Sequence, residues 1–436
     1  MATLNQDQTT AANEFFQFLG DPNCSEFVIQ GSAGTGKTTL ISHLLNQLPK
    51  QERLLKSIGN DGFGFHDLYV TATTRKAAQV ICEKLGYPSL TIHSLLQLKV
   101  DNSRATGETS LQLRRGATHI ANSLIIIDEA SFIDVALLSA IRDRTQNCKV
   151  VYIGDPNQLT PAKSYACPVF DGLIRTVRLN QIMRFDGEID RLSAKYREAV
   201  TSEVFPEIVV DGVQIKHVDG PAFQKLVEDS FQPDYYTDYD KAKVVAWTNN
   251  RVHDYNKFIR TQKGCKSAIE RGEAMITNRP IMDGKNVSLY STDAFVYVTH
   301  VSPTTTNKGV EGIYVTIDHT VEVFVATDHI ALKEKLKQLR KEKNWSEYFE
   351  IQERWADLRP PYACTVHKSQ GSTYERVLVD LSDIGRCNIK TDVARMLYVA
   401  ISRASKEVIL YGSLPEKYLG GSHATQTKNP CEQNAA

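Results

Sequence analysis

Apolar residues in this chain fall into short unbroken runs separated by stretches of helical period. Phe27-Val28-Ile29, Leu68-Tyr69-Val70-Thr71-Ala72, Leu124-Ile125-Ile126-Ile127 and Val150-Val151-Tyr152-Ile153 have the length and β-branched content of strands buried on both faces. Between them, Asn5 is placed to cap a helix through Phe18, with Phe15, Phe16 and Leu19 on its core side. Further helices run from Lys37 through Leu48 and up to Leu85. Strands alternating with helices at this spacing specify a doubly wound parallel α/β domain, which closes near Leu179. Pro49 to His66 is polar and glycine-rich and reads as an exposed loop. Leu98 to Leu113 alternates around a turn-like Asn102–Gly107, which predicts an inserted β-hairpin over about 97–116.

The second half repeats the pattern. Lys243–Trp247, Val377–Asp380 and Val408–Tyr411 read as core strands, and Asn249–Arg260 and Asp392–Ser402 as helices. From Gly272 the texture changes to short β-rich runs, among them Val287–Tyr290, Ala294–Val301, Gly312–Ile317 and Val321–Ala326, closed by a charged helix over Leu332–Leu358. This reads as a small barrel, residues 272–358, inserted in a second α/β domain made of 180–271 and 359–418. The first domain is 1–179, and the polar tail 419–436 is expected to be disordered.

Composition narrows the picture only modestly. A chain of 436 residues exceeds what one core usually supports. No apolar stretch approaches ~20 residues and the N-terminus is polar, so a cytoplasmic protein without a membrane partner is expected. The eight cysteines contain no C-x-x-C pair, which argues against a zinc site and a disulfide framework. Lys plus Arg equals Asp plus Glu. Any nucleic-acid binding must therefore come from a local groove. The lysines and arginines of 333–343 alternate with glutamates and read as a solvated face.

Chemistry enters at Gly31-Ser32-Ala33-Gly34-Thr35-Gly36-Lys37-Thr38-Thr39, which follows a strand, opens a helix and matches G-x-x-x-x-G-K-[ST]. Glycines let the backbone wrap a phosphate so that several N–H groups and the positive helix end face one anion. Gly31, Ala33, Gly34, Thr35, Gly36, Lys37, Thr38 and Thr39 are the expected nucleotide-binding residues. Lys37 supplies a point charge to the β- and γ-phosphates, and Thr38 a hydroxyl to Mg²⁺. Asp128 and Glu129, at the end of a buried strand about ninety residues on, suit the Mg²⁺ shell and the activation of water respectively. Gln158, just past the next strand, is placed to sense a γ-phosphate. Other candidates stay open at this point. Gln8 either reads adenine or is a surface residue; the Thr73-Thr74-Arg75-Lys76 cluster either meets a ligand or simply starts a helix; Arg184 and Arg403 are arginine fingers or ordinary surface arginines.

The order of these pieces resembles the motif set of superfamily 1 helicases, in the 5′-to-3′ branch that includes RecD and Dda. The carrying stretches are Gln8, GSAGTGKT at Gly31, TATTRKAA at Thr71, TIHSLL at Thr91, IIIDEAS at Ile125, GDPNQLTP at Gly154, LNQIMR at Leu179, TVHKSQG at Thr365 and LYVAISRA at Leu397. No N-K-x-D guanine-reading motif accompanies them. The resemblance implies an ATP-dependent DNA helicase of two RecA-like domains, with the hairpin as a strand-separating pin and the insertion as an SH3-like barrel that braces it. Gln8 would read adenine, Gln158 would couple the γ-phosphate to domain movement, and Arg184 and Arg403 would act as arginine fingers. Single-stranded DNA, and junctions with duplex, would meet Thr74, His93, Thr248, Asn249, Thr365, His367 and Ser369. A monomer is expected, with a single-stranded-DNA-binding protein or replication and recombination proteins as partners. The rival readings are a translocase that strips proteins without unwinding, a nucleotide-switched DNA clamp, and an RNA helicase. Thr73 and Thr160 stand where the family commonly has proline, and the hairpin lacks an aromatic tip, so a wedge would rest on Leu111 and Leu113.

Overall fold

Asn5 starts the first helix, α1 (Gln6–Gly20), through a capping box in which its side chain accepts from Gln8 N and the Gln8 side chain accepts from Asn5 N. The computed structural model describes residues 4–59, 62–106, 109–114, 116–160, 167–181, 187–231, 241–283 and 288–418. Two compact units emerge: Met1–Pro156, Thr160–Arg184 and Arg260–Pro361 form one, and Asn157–Leu159, Phe185–Ile259 and Tyr362–Ala436 the other.

In the first unit α1 leads through β1 (Glu26–Gly31), α2 (Lys37–Ser57), β2 (Asp67–Ala72), α3 (Arg75–Leu85), β3 (Ser89–Thr91) and the single turn α4 (Ile92–Leu95). The hairpin β4 (Leu98–Asn102) and β5 (Thr109–Leu113) follows, paired from Leu98↔Leu113 to Asn102↔Thr109. Next come β6 (Ile120–Ala121), β7 (Ser123–Asp128), α5 (Val135–Arg144), β8 (Thr145–Gln146), β9 (Lys149–Gly154) and β10 (Arg175–Leu179). The main sheet runs β10-β1-β9-β7-β2-β3, with every pairing parallel. Successive strand residues serve opposite faces: Phe27, Ile29, Val151 and Ile153 pack under α1 and α2, whereas Val28, Val150 and Tyr152 pack under α5. Both faces are covered, as a parallel sheet requires.

One loop expectation fails here. Helix α2 does not stop at Leu48 but runs through Pro49 to Ser57. A proline there forfeits one backbone bond at the preceding turn, yet Gln51 to Lys56 are good helix formers and Glu52 pairs with Lys56 one turn on. Only the segment after Ser57 is a loop, and its Phe63 and Phe65 stack back toward Phe16.

The chain next forms α6 (Glu188–Ser202), β11 (Ile215–Val218), α7 (Gly220–Ser230), β12 (Ala242–Ala246) and α8 (Asn249–Gln262). The insertion then builds β13 (Ala274–Thr277), β14 (Ile281–Met282), β15 (Ser288–Tyr290), β16 (Phe295–Val301), β17 (Thr305–Asn307), β18 (Val310–Ile317), β19 (Val321–Ala326), α9 (His329–Lys341), α10 (Trp345–Arg354) and β20 (Leu358–Arg359). Its strands pair antiparallel in the order β17-β18-β16-β13-β20, with β19 on β18. The single charged helix expected over Leu332–Leu358 is in fact two. Lys343 takes a left-handed φ of 57° and Asn344 caps a new helix through Glu347 N. Phe324 of the sheet packs on Trp355 at 4.6 Å between centroids and carries the helix pair. From α10, Glu353 reaches the end of the hairpin, accepting from Asn102 at 2.9 Å and from Arg104 at 3.5 Å.

The remaining elements, β21 (Ala363–Thr365), α11 (Val366–Ser369), β22 (Tyr374–Asp380), α12 (Leu381–Ile384), α13 (Lys390–Ser402) and β23 (Ala404–Tyr411), complete the second unit. Its sheet runs β11-β23-β22-β12-β21, again wholly parallel. The chain is thus α/β with two doubly wound parallel sheets. The expected disordered tail, 419–436, and Arg184 lie outside the described residues. The seven described cysteines are free thiols, and among the described residues no helix is long and apolar enough to cross a membrane.

Candidate nucleotide and DNA sites

At the carboxyl end of β1 the chain turns through Ser32–Gly36 into α2. Gly31 has to be glycine because a Cβ would sit 2.5 Å from Thr35 Oγ1 and 3.1 Å from Leu179 Cβ. Gly34 and Gly36 take φ of 85° and 77°, which side chains resist. Buried Thr35 donates its hydroxyl to Ser32 O at 2.9 Å and closes the loop. No side chain caps α2, so its first-turn N–H groups are left for an anion. The Lys37 ammonium bridges the carbonyls of Gly31 and Ser32 at 2.8 and 2.9 Å, held against the loop it serves. Gln8 is 1% exposed; its Nε2 donates to Thr35 O at 3.1 Å while its Oε1 accepts from Asn5 N. The structure therefore places Gln8 as a strut under the phosphate loop.

The acidic pair lies two strands away on the same sheet edge, since β9 separates β1 from β7. Crossing the end of β9 requires Gly154: a Cβ there would come within 3.1 Å of Ala130 N and 3.0 Å of the Phe170 ring. Asp128 Oδ1 accepts from Glu129 N at 2.9 Å. Shielding from water, reinforced by the neighbouring Glu129 carboxylate, pushes the Asp128 carboxyl up to about 6, with Lys37 pulling the other way. Glu129 itself adopts a φ of 53°, unusual for a side-chain-bearing residue. Thr73 fixes it there, its Oγ1 donating to Glu129 O at 2.8 Å and its N–H to Asp128 O at 3.2 Å. The Thr73 hydroxyl is thus a direct support of the acidic turn. Thr74 caps α3 through Ala77 N. Burial lowers the His93 pKa, partly opposed by Asp134.

In the second unit Gln158 is buried, its Oε1 accepting from Gln370 Nε2 at 2.8 Å and its carbonyl from Arg395 Nη1 at 2.5 Å. Arg403 ends α13 and is 6% exposed; it donates to Val399 O, Ser372 O and Ser402 Oγ. Asp383 organises the turn after β12, accepting from Trp247 N, Thr248 N and Thr248 Oγ1 at 2.8, 2.7 and 2.8 Å. Its own N–H is held by Asp380, which also takes Arg251 and Tyr255. This presents Asn249 to solvent at the start of α8. Thr365 caps α11 through Lys368 N, and exposed His367 stands on that turn. Ser369 differs from the other expected DNA contacts, being fully buried with its hydroxyl on Val366 O.

Known proteins resemble the chain over most of its length. The AAA domain family matches residues 3–209, and the UvrD-like helicase C-terminal domain family matches 360–411. The ATP-dependent DNA helicase dda of Enterobacteria phage T4 is 23% identical over 93% of this chain and 98% of its own length. The RecBCD enzyme subunit RecD of Buchnera aphidicola is 22% identical over 88% of this chain and 70% of its own. Along most of its length the chain is similar to superfamily 1 helicases. A solved structure of two coordinating Pif1 helicases at forked double-stranded DNA shares its fold, with a TM-score of 0.51 at 16% identity over 96% of this chain and 94% of that one.

Within the first unit, the structure brings Gln8, the loop from Gly31 to Thr39, Asp128 and Glu129 together on one edge of the first sheet. Thr248, Asn249, Thr365 and His367 gather at the strand ends of the second. Motif reading passed over Asp383 and Arg395, and it met Thr73 and Gln370 only as members of a cluster and a motif, without the bonds they make here. The one available signal for Asp383 was a second carboxylate three residues beyond the acid that ends a core strand.

Proposed function

We propose that this chain hydrolyses ATP to move 5′ to 3′ along single-stranded DNA and to part duplex at its hairpin. The observation that carries the reading is the phosphate loop and the Asp128–Glu129 turn at the carboxyl ends of strands in one parallel sheet, the edge where such sheets bind ligands. A second parallel unit offers polar side chains at its own strand ends. Mg²⁺ fits the donor set: Thr38, on the first turn of α2, and Asp128, a shielded carboxyl that favours a nearby cation, would hold it. When bound, the ion supplies charge neutralisation at the phosphates. Lys37 binds the β- and γ-phosphates as a point charge, and Glu129 orients and deprotonates the attacking water. Thr73 holds Glu129 in its left-handed turn. Gln158 and Arg403 would respond to the phosphate state, and Thr248, Asn249, Thr365 and His367 would grip the DNA backbone with little sequence preference.

Hydrolysis measured with and without single-stranded DNA, followed by unwinding of duplexes with a 5′ or a 3′ tail, tests the reading. Strong stimulation and opening of the 5′-tailed duplex alone are expected; hydrolysis indifferent to DNA would overturn it. One feature favours translocation without efficient unwinding as a second reading: the hairpin has no aromatic residue, and the large apolar side chains it exposes among the described residues are Leu111 and Leu113. We place the enzyme on cytoplasmic DNA, with a single-stranded-DNA-binding protein or replication proteins as its company.

A further inference from the structure

The two family matches stop at residue 209 and resume at 360, so the inserted helix pair falls outside both. Helix α9 has two distinct sides. Leu332, Leu336 and Leu339 form a seam against the Phe324–Trp355 cluster. At ~100° per residue, Lys333, Lys337, Arg340 and Lys341 share one sector beside that seam, all exposed; Glu334 borders it beside Lys341, and Glu342 lies on the far side. We propose that this cationic face docks the phosphate backbone of duplex DNA.

The acids of α10 do not neutralise it, and on α9 four cations face the single bordering acid, Glu334. Glu347 is taken by Lys335 at 3.2 Å, Glu350 by Lys308 at 2.7 Å, and Glu353 by Asn102 and Arg104 of the hairpin. Arg340 stacks on Tyr348 at 5.5 Å and donates to its hydroxyl, a neutral partner that leaves the charge standing. Lys333, Lys337 and Lys341 follow one another at four-residue steps, which destabilises a free helix because like charges face each other one turn apart. A solvated helix gains nothing from that pattern, and a polyanion relieves it. The steps are about 6 Å along the axis, and long lysine stems let each ammonium reach a separate phosphate. The chain as a whole is neutral, so the concentration of charge is local.

Placement selects duplex DNA over other polyanions. Helix α10, which carries α9 through Lys335–Glu347 and Arg340–Tyr348, also holds the hairpin end through Glu353. The cationic face and the hairpin therefore ride on one unit, and duplex held by the first is presented to the second. The inference rests on the helicase reading for the hairpin's role.

The test compares wild type with Lys333→Ala/Lys337→Ala/Lys341→Ala and the matching triple Gln variant, all full length and checked by thermal melting. Exposed helical alanines raise helix propensity, and the Gln set keeps side-chain bulk. Equilibrium binding by fluorescence anisotropy is followed over a salt series for a 5′-tailed duplex and for its single-stranded tail alone. Both triple variants should reduce the slope of log affinity against log salt on the tailed duplex by about 2.7, as three lost phosphate contacts require. The slope on the single strand and the single-strand-stimulated hydrolysis should stay at wild-type values. An unchanged slope on the tailed duplex overturns the proposal and assigns the face to an acidic protein segment. Equal losses on both DNAs overturn it too, since the face would then serve the single strand. Failure of the helicase reading shows separately, as wild-type hydrolysis that single-stranded DNA does not stimulate.

Discussion

Replacing Thr73 with valine deletes one hydroxyl from the acidic turn and preserves its shape. The lost bond, Thr73 Oγ1 to Glu129 O at 2.8 Å, lies at a residue only 9% exposed. Its removal costs about 1–2 kcal/mol once the half-satisfied carbonyl is included, because Phe132 N–H still reaches that oxygen at 3.2 Å. The left-handed conformation of Glu129, φ 53°, costs about 1–2 kcal/mol against the right-handed one. Bond and strain are comparable, so a substantial fraction of Thr73→Val molecules should relax the turn and misdirect the carboxylate. At 1.4 kcal/mol per tenfold, kcat for DNA-saturated ATP hydrolysis should fall ~5- to 30-fold. KM for ATP should hold, since every phosphate-loop contact is intact. Steady-state kinetics with a parallel melting curve decide the matter. A variant that melts earlier yet turns over within twofold of wild type would show that the hydroxyl supports only the fold and would refute the reasoning.

Three further substitutions separate neighbouring roles. Gln8→Ala should lower ATP and GTP turnover together, because Gln8 acts through Thr35 O; a loss confined to ATP would restore adenine reading. Asp383→Asn weakens a charged acceptor of three bonds at the Thr248 turn, so the single-stranded DNA concentration for half-maximal hydrolysis should rise about tenfold for the ~1.5 kcal/mol at stake. Its kcat at saturating DNA should stay close to wild type, and an equal fall in kcat would contradict the positioning role. Glu353→Ala frees the hairpin end from α10 through a half-exposed contact worth only ~1 kcal/mol. Unwinding of a 5′-tailed duplex should slow a few-fold with single-strand-stimulated hydrolysis intact, and slowed hydrolysis would refute a purely bracing contact.

Features written in contiguous residues were legible before any coordinates. The phosphate loop, the buried strand before Asp128 and the hairpin all depend on local pattern, and each appears where the pattern puts it. What escaped is long-range. Thr73 is 56 residues from the carbonyl it holds, and Thr248 is 135 from Asp383, so neither bond leaves a periodic trace. Gln8 was read as an adenine contact or a surface residue; it is buried, and its amide faces the loop backbone. Pro49 misled because a single proline outweighs its neighbours in a local reading, whereas the helix loses one bond and keeps the rest. The break at Lys343 is invisible to charge alternation, since it lies in a backbone angle and in the Asn344 cap.

The interleaving of the two units along the chain bears on how the molecule is made and dismantled. The polypeptide passes from one to the other five times, including the short excursion of Asn157–Leu159 immediately after β9. No single cut yields either half as an intact piece, so proteolytic nicking should leave fragments that stay associated until denatured. During synthesis the first sheet can assemble early, but the antiparallel sheet belonging to its unit is translated only after most of α6 to α8 has emerged. Completion of one half thus waits on the other, and a ribosome stalled midway would leave both unfinished.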